Sequence, residues 1–160
     1  MALAEIREQI QRLIHNATGA PTHEYERVVQ TRDELESIAS IILDDGQRII
    51  HGWTITVESD EALPDTAEEL VDFTFQRQYA FVLRGYRGHD DAKKTALEWQ
   101  NTIEALLATF DTNPTLGATA IRSGPAECRI RDDHRFYGEI LCHYAEITLD
   151  AILKVSRLSS

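Results

Sequence analysis

The chain has 160 residues, with 16 Lys and Arg against 27 Asp and Glu, a formal charge of −11. Affinity for nucleic acid comes from cations that displace condensed counterions, so this balance argues against a DNA- or RNA-binding role. Hydrophobic residues at 42% and charged residues at 27% are ordinary for a folded domain and unlike a disordered chain.

Leu3, Ile6, Ile10 and Leu13 recur at spacings of three and four, which predicts an amphipathic helix over residues 1–15. Asn16 to Thr22, with Gly19 and Pro21, breaks it, and a short extended piece follows at Tyr25 to Val29. Thr31-Arg32-Asp33-Glu34 has the form of a capping box, a hydroxyl at the N-cap and a carboxylate three residues on. With Leu35, Ile38, Ile41 and Ile42 behind it, and Asp44-Asp45-Gly46 as its end, it predicts a second helix from Arg32 to Leu43. The period then changes: Trp53, Ile55 and Val57 alternate with Thr54 and Thr56, the mark of a strand with one buried face.

Glu58 to Asp72 carries seven carboxylates, Glu58, Asp60, Glu61, Asp65, Glu68, Glu69 and Asp72, and no cation, which reads as a solvated loop or hairpin arm. Phe73, Phe75, Tyr79, Phe81 and Leu83 fall on one face of a long strand, open to a break, that Arg77 interrupts and Gly85 to Gly88 closes. Ala92, Ala96, Trp99, Ile103, Leu106 and Phe110 then form a narrow helical seam that Asn113-Pro114 stops. A loop from Thr115 to Pro125 leads to two strands, Glu127 to Arg131 and Gly138 to Leu153, turned by Asp132-Asp133-His134. The last strand is apolar on both sides, Leu141, Ala145, Ile147 and Leu149 against Ile140, Cys142 and Tyr144, so it is covered twice or sits at a subunit contact. Hairpins mixed with helices predict a single α+β domain over residues 1–155, a mostly antiparallel sheet with helices packed on one face, and a flexible tail at 156–160.

Catalytic chemistry finds little footing. His89-Asp90-Asp91 has the His-Asp order of some metal phosphohydrolases, but a polar cap for the long helix accounts for it better. Cys128, His134, Cys142 and His143 lack the short Cys-x-x-Cys spacing of zinc sites, and adjacent strand residues such as Cys142 and His143 point to opposite faces. The two cysteines read as free thiols of a cytoplasmically synthesised chain, since the start MALAEIREQIQRL is amphipathic rather than leader-like. For the same reason the sequon Asn16-Ala17-Thr18 carries no glycan. No stretch is long and apolar enough for a membrane span. Arg122-Ser123-Gly124-Pro125 is no nucleophile elbow, and Gly85-Tyr86-Arg87-Gly88, followed by Asp90 and Asp91, is a poor phosphate loop. The expectation is therefore no catalytic residue, no cofactor and no metal. Arg77, Arg84 and Arg87 around the long strand are suited to meet the acidic run, within the chain or across a subunit contact.

Five stretches carry a family resemblance: HEYERVV at His23 to Val29, HGWTITVES at His51 to Ser59, YAFVLRGYRG at Tyr79 to Gly88, DTNPTLGATA after the long helix, and FYGEILCHYAEITL at Phe136 to Leu149. In pattern and order they resemble the tail terminator and minor tail proteins of long-tailed bacteriophages and related prophages, over Tyr25 to Val155. The resemblance implies an α+β subunit of a hexameric ring that caps the head-proximal end of the tail tube. Such a ring stops tube polymerisation and joins the tail to head completion proteins. Its partners would be other copies of itself, the tail tube protein and the neck proteins; its place would be the virion, after assembly in the host cytoplasm. DNA would pass through the ring without specific binding, and an acidic lumen would repel it. Glu58, Asp60, Glu61, Asp65, Glu68, Glu69, Arg77, Arg84 and Arg87 are then the candidate lumen or subunit-interface residues. The alternatives are another ring-forming tube, neck or tail-completion protein, or, from a different class, a small soluble α+β enzyme or ligand-binding domain.

Overall fold

A computed structural model describes residues 2–23, 31–42, 46, 48–62, 74–88, 92–115, 120–122, 125–137 and 139–156. Helix α1, Ala2–Thr18, buries the predicted stripe of Ile6, Ile10 and Leu13, with Ile14 beside it. It runs a turn past His15 because Thr18 Oγ1 donates to Ile14 O at 2.7 Å and Gly19 closes the end. Gly19, at φ +75, donates its N–H to His15 O, the left-handed helix stop that glycine adopts without a Cβ penalty. Strand β1, Thr22–His23, lies parallel to Trp53 and Thr54; Tyr25 to Val29 falls outside the described residues.

Helix α2, Arg32–Ala39, starts as predicted, with Thr31 Oγ1 accepting from Glu34 N at 3.2 Å. It does not reach Leu43. Strand β2, Ser40–Ile42, takes over at once and pairs antiparallel with Arg48–Ile50. Ile41 and Ile42 fit helical spacing, but two β-branched residues beside a partner strand gain more from the ladder.

The sheet is built on three long strands, β3 Arg48–Ala62, β4 Thr74–Gly88 and β7 Ile140–Ser156. β4 lies between the other two, antiparallel to both, from Arg87 opposite His51 and His143 to Arg77 opposite Ala62 and Leu153. Fifteen residues span about 50 Å. The possible break in the aromatic strand does not occur; the irregularity lies in its neighbour, between Val57 and Ser59 of β3. Glu58 to Ala62 is strand rather than loop, and residues 63–73, with Asp65, Glu68, Glu69 and Asp72, lie outside the described set.

Gly85 to Gly88 does not close β4 but belongs to it. Trp53 stands opposite Gly85, and a Cβ on Gly85 would lie 2.5 Å from the Trp53 ring. On the other face Tyr86 stands opposite Gly52, where a Cβ would lie 2.5 Å from its hydroxyl oxygen. Each aromatic ring thus lies over a glycine of the neighbouring strand.

Helix α3, Ala92–Asp111, buries Trp99, Ile103, Leu106 and Phe110 as its seam predicts. The loop expected from Thr115 to Pro125 contains strand β5, Ala120–Arg122, paired with β7. Strand β6, Glu127–Tyr137, runs through the expected turn at Asp132-Asp133-His134, and the chain reverses at Glu139 instead. Two register irregularities, between Cys128 and Ile130 and between Ile130 and Asp133, absorb the polar residues without ending the strand. β7 continues to Ser156, beyond the Leu153 expected.

The result is α+β with a mostly antiparallel seven-stranded sheet, as expected. The expectation of helices on one face holds for two of the three helices among the described residues. α1 and α3 cover Trp53, Ile55, Phe81, Leu83, Ala145, Ile147 and Leu149. The short α2 covers the opposite face with Leu35 and Ala39, over Ile50, Tyr86 and Cys142. The two-sided burial expected of β7 follows: Ala145, Ile147 and Leu149 are fully buried on one side, Cys142 and Tyr144 on the other.

Candidate functional site

The three arginines around the long strand do not meet one another. Alternation along β4 places Arg84 on the face opposite Arg77 and Arg87, and the ten residues from Arg77 to Arg87 span about 33 Å. Arg84 Nη1 donates to Thr56 Oγ1 at 2.9 Å, while Arg87 is buried and pairs with Glu98 of α3. Arg77 is half-buried at the far end, beside Ala62. Of the acidic residues, Asp60 and Glu61 lie on β3 in register with Tyr79 and Gln78. Glu58 is exposed and accepts from Arg129 Nη1 at 3.3 Å.

That last contact belongs to a polar cover on the α2 face. β3 and β6 stand three strand positions apart, roughly 14 Å, and the Arg129 and Glu58 side chains together bridge the gap. Arg129 Nη2 also donates to Glu146 Oε1 at 3.2 Å, and Tyr144 donates its hydroxyl to Glu146 Oε2 at 2.8 Å. The Arg135 guanidinium sits 3.7 Å over the Tyr144 ring. Burial, then the bond to Glu146, raises the Tyr144 pKa.

The more unusual arrangement lies under the first half of α3. His51 of β3, Arg87 of β4, His143 of β7 and His134 of β6 are successive cross-strand partners, so one basic row crosses four strands on one face. His51, Arg87 and His143 are buried, as is Thr95 of α3 above them. Trp53 Nε1 donates to His51 Nε2 at 2.9 Å, which places the His51 proton on Nδ1. Trp99 stacks on Trp53 at 5.7 Å and meets His51 edge-on at 5.5 Å. Thr95 Oγ1 and His143 Nε2 are 2.8 Å apart, and the His143 and His134 rings 5.1 Å. Burial first, and the Arg87 charge second, lower the His51 pKa to about 3, so this imidazole is neutral at neutral pH. Two buried donors in the cluster, Arg87 Nε and Trp99 Nε1, have no hydrogen-bond partner.

In the sequence Trp99 belongs to the apolar seam of the long helix and Arg87 to the cations around the long strand, and no motif marks His51. The one signal available was the alternation of His51 with Trp53 and Ile55, which puts a histidine on the buried face. Cys142 and His143 do point to opposite faces, toward α2 and toward the row. Burial pushes the Cys142 thiol up to about 12 and raises Cys128 as well, so neither is a ready nucleophile. Among the described residues, no three His, Cys, Asp or Glu side chains are placed to hold a metal ion. His89-Asp90-Asp91 lies outside them.

Compared with known proteins, the chain matches no protein-family model and no curated protein. No helix among the described residues is long and apolar enough to cross a membrane.

Proposed function

We propose that the chain is a structural protein of a long-tailed phage tail, a subunit of a ring at the head-proximal end of the tail tube. In this reading it acts as the tail terminator: six copies cap the tube, stop its growth and join it to the head completion proteins. Its partners are then further copies of itself, the tube protein and the neck proteins, and its place is the virion.

The observation that supports this reading is the position of the acidic run. β3 and β4 stay paired from the Trp53–Gly85 level to Ala62–Arg77, roughly nine residues or 30 Å along the strands. The run begins on β3 with Glu58, Asp60 and Glu61, and its remaining carboxylates, Asp65, Glu68, Glu69 and Asp72, lie in the chain that joins the two strands. Negative charge gathered at the end of the sheet where β3 and β4 are joined suits a surface past which DNA slides, or one that meets a cationic neighbour.

Sedimentation velocity and negative-stain imaging of the full chain, alone and with tail-tube protein, test the proposal. Rings of six-fold symmetry, or caps on tube ends, are the expected result. A monomer at every concentration, with tube protein present, overturns it.

A further inference from the structure

Among the described residues, the inner end of the basic row has donors that no acceptor meets. Arg87 is 8% exposed and Trp99 1%, yet Arg87 Nε and Trp99 Nε1 have no partner, and a buried N–H without one costs about 1–3 kcal/mol. Both side chains adjoin His51: Arg87 is its cross-strand partner, and the Trp99 ring meets it edge-on. Because Nε2 of His51 is taken by Trp53, the other ring nitrogen of this histidine is a donor too. The carboxylate described beside Arg87, that of Glu98, binds it at Nη2 rather than Nε, and the Glu98 side chain is 38% exposed, at the margin of the cluster.

We propose that the inner end of this row, bounded by Arg87, Trp99 and His51, is a binding site for a small oxyanion, a carboxylate or a phosphate. The oxygens of such a group accept from Arg87 Nε and Trp99 Nε1, which satisfies both buried donors, one of them charge-assisted. The depressed pKa of His51, caused in part by Arg87, is consistent with positive potential that Glu98 leaves incompletely neutralised. Glu98 acts against the ligand: it holds Arg87 by a carboxylate of its own and repels an incoming anion. The site stands independently of the tail reading, since a ring subunit can hold an oxyanion as well as a free-standing domain can.

Trp53 and Trp99 are the two tryptophans of the chain, and both touch the site, so intrinsic tryptophan emission reports on it directly. The test is a titration of the full chain with inorganic phosphate and, separately, with acetate, each against chloride at matched ionic strength. A saturable change in emission with either anion is expected, and which anion elicits it tells phosphate from carboxylate. Glu98→Gln should bind about tenfold more tightly and Arg87→Gln at least about tenfold more weakly. If Arg87→Gln does not fold, Trp99→Phe keeps an aromatic ring, removes the donor and leaves Trp53 to report; it too should bind more weakly. The proposal is overturned if the native chain and Glu98→Gln both give no saturable response, the donors then being met by water alone. It is equally overturned if folded Arg87→Gln or Trp99→Phe binds as the native chain does.

Discussion

On one face of the sheet α1 and α3 lay a continuous apolar layer over Trp53, Ile55, Phe81, Leu83 and Ile147, with the basic row enclosed at its edge. On the other face the eight-residue α2 covers Ile50, Tyr86 and Cys142, and a chain of partly exposed ion pairs through Arg129 lies beside it. The first cover is apolar and buried, a dry face; the second is polar and half-exposed, a wet and electrostatic one. Burial of apolar area near room temperature is insensitive to salt, whereas half-exposed ion pairs are screened by it. The two faces should therefore fail under different insults.

The largest contrast is expected at the paired glycines. Gly85→Ala drives a methyl into the Trp53 ring, whose nearest carbons lie 2.5–2.6 Å from the new Cβ and which is fully buried between β4 and α3. Overpacking a rigid core of this kind costs about 3 kcal/mol. Gly52→Ala meets the hydroxyl end of Tyr86 and, at 3.3 Å, Ala39 of the short helix, a layer with more room to shift. It should cost about half as much, roughly 1–2 kcal/mol. Urea unfolding of both variants checks the order; equal losses would show that the α2 face is as stiff as the other.

The next effect is pH dependence confined to the dry face. His51 titrates near pH 3 when folded and at its ordinary 6.5 when unfolded. Between those values the unfolded chain binds a proton that the folded chain refuses, so stability is full above pH 6.5 and falls as pH drops toward 3. The slope approaches about 1.4 kcal/mol per pH unit. His51→Gln keeps an acceptor for Trp53 Nε1 and removes the titration. Unfolding free energies of the two proteins between pH 7 and pH 5 should therefore diverge, the native chain losing roughly 2 kcal/mol more. Parallel pH profiles would show His51 already protonated in the fold.

Much of the dry face was legible in the sequence because its elements carry a period. The stripe of α1, the seam of α3 and the alternation of Trp53, Ile55 and Val57 each name the side that is buried. The Thr31 capping box fixed the start of α2, but its end was hidden: Ile41 and Ile42 satisfy helical spacing as well as a strand. The turn expected at Asp132-Asp133-His134 failed for a related reason. Irregularities in a strand admit polar residues that local rules assign to turns, and Asp133 accepts from His134 N and Arg135 Nε within the strand. The basic row was out of reach altogether. His51, Arg87 and His143 come from strands distant in sequence, and only the pairing register makes them neighbours. The spread of Arg77, Arg84 and Arg87 over two faces and some 33 Å is the converse case, proximity in sequence without proximity in space.

The smallest effect belongs to the wet face and turns on Arg129. Its guanidinium ties Glu58, at the start of the acidic run, to Glu146 on β7, and its side chain is 48% exposed. An exposed pair contributes at most about 1 kcal/mol, but Glu146 is 7% exposed and would keep only Tyr144 as its donor of those described here, so removing Arg129 also strands a buried carboxylate oxygen. Arg129→Ala should therefore cost about 1 kcal/mol at low ionic strength. The Glu58 part of that loss should shrink toward zero in 1 M salt, where the screening length falls to about 3 Å. The Glu146 part should persist, because a buried pair is little screened. Glu58→Ala separates the two, since it removes only the exposed half and should become neutral in high salt. Thermal unfolding of both variants at low and high salt decides the matter. A salt-independent loss in Glu58→Ala would mean that Glu58 is held as firmly as the dry face, and would free less of the acidic run for a neighbouring subunit or for DNA.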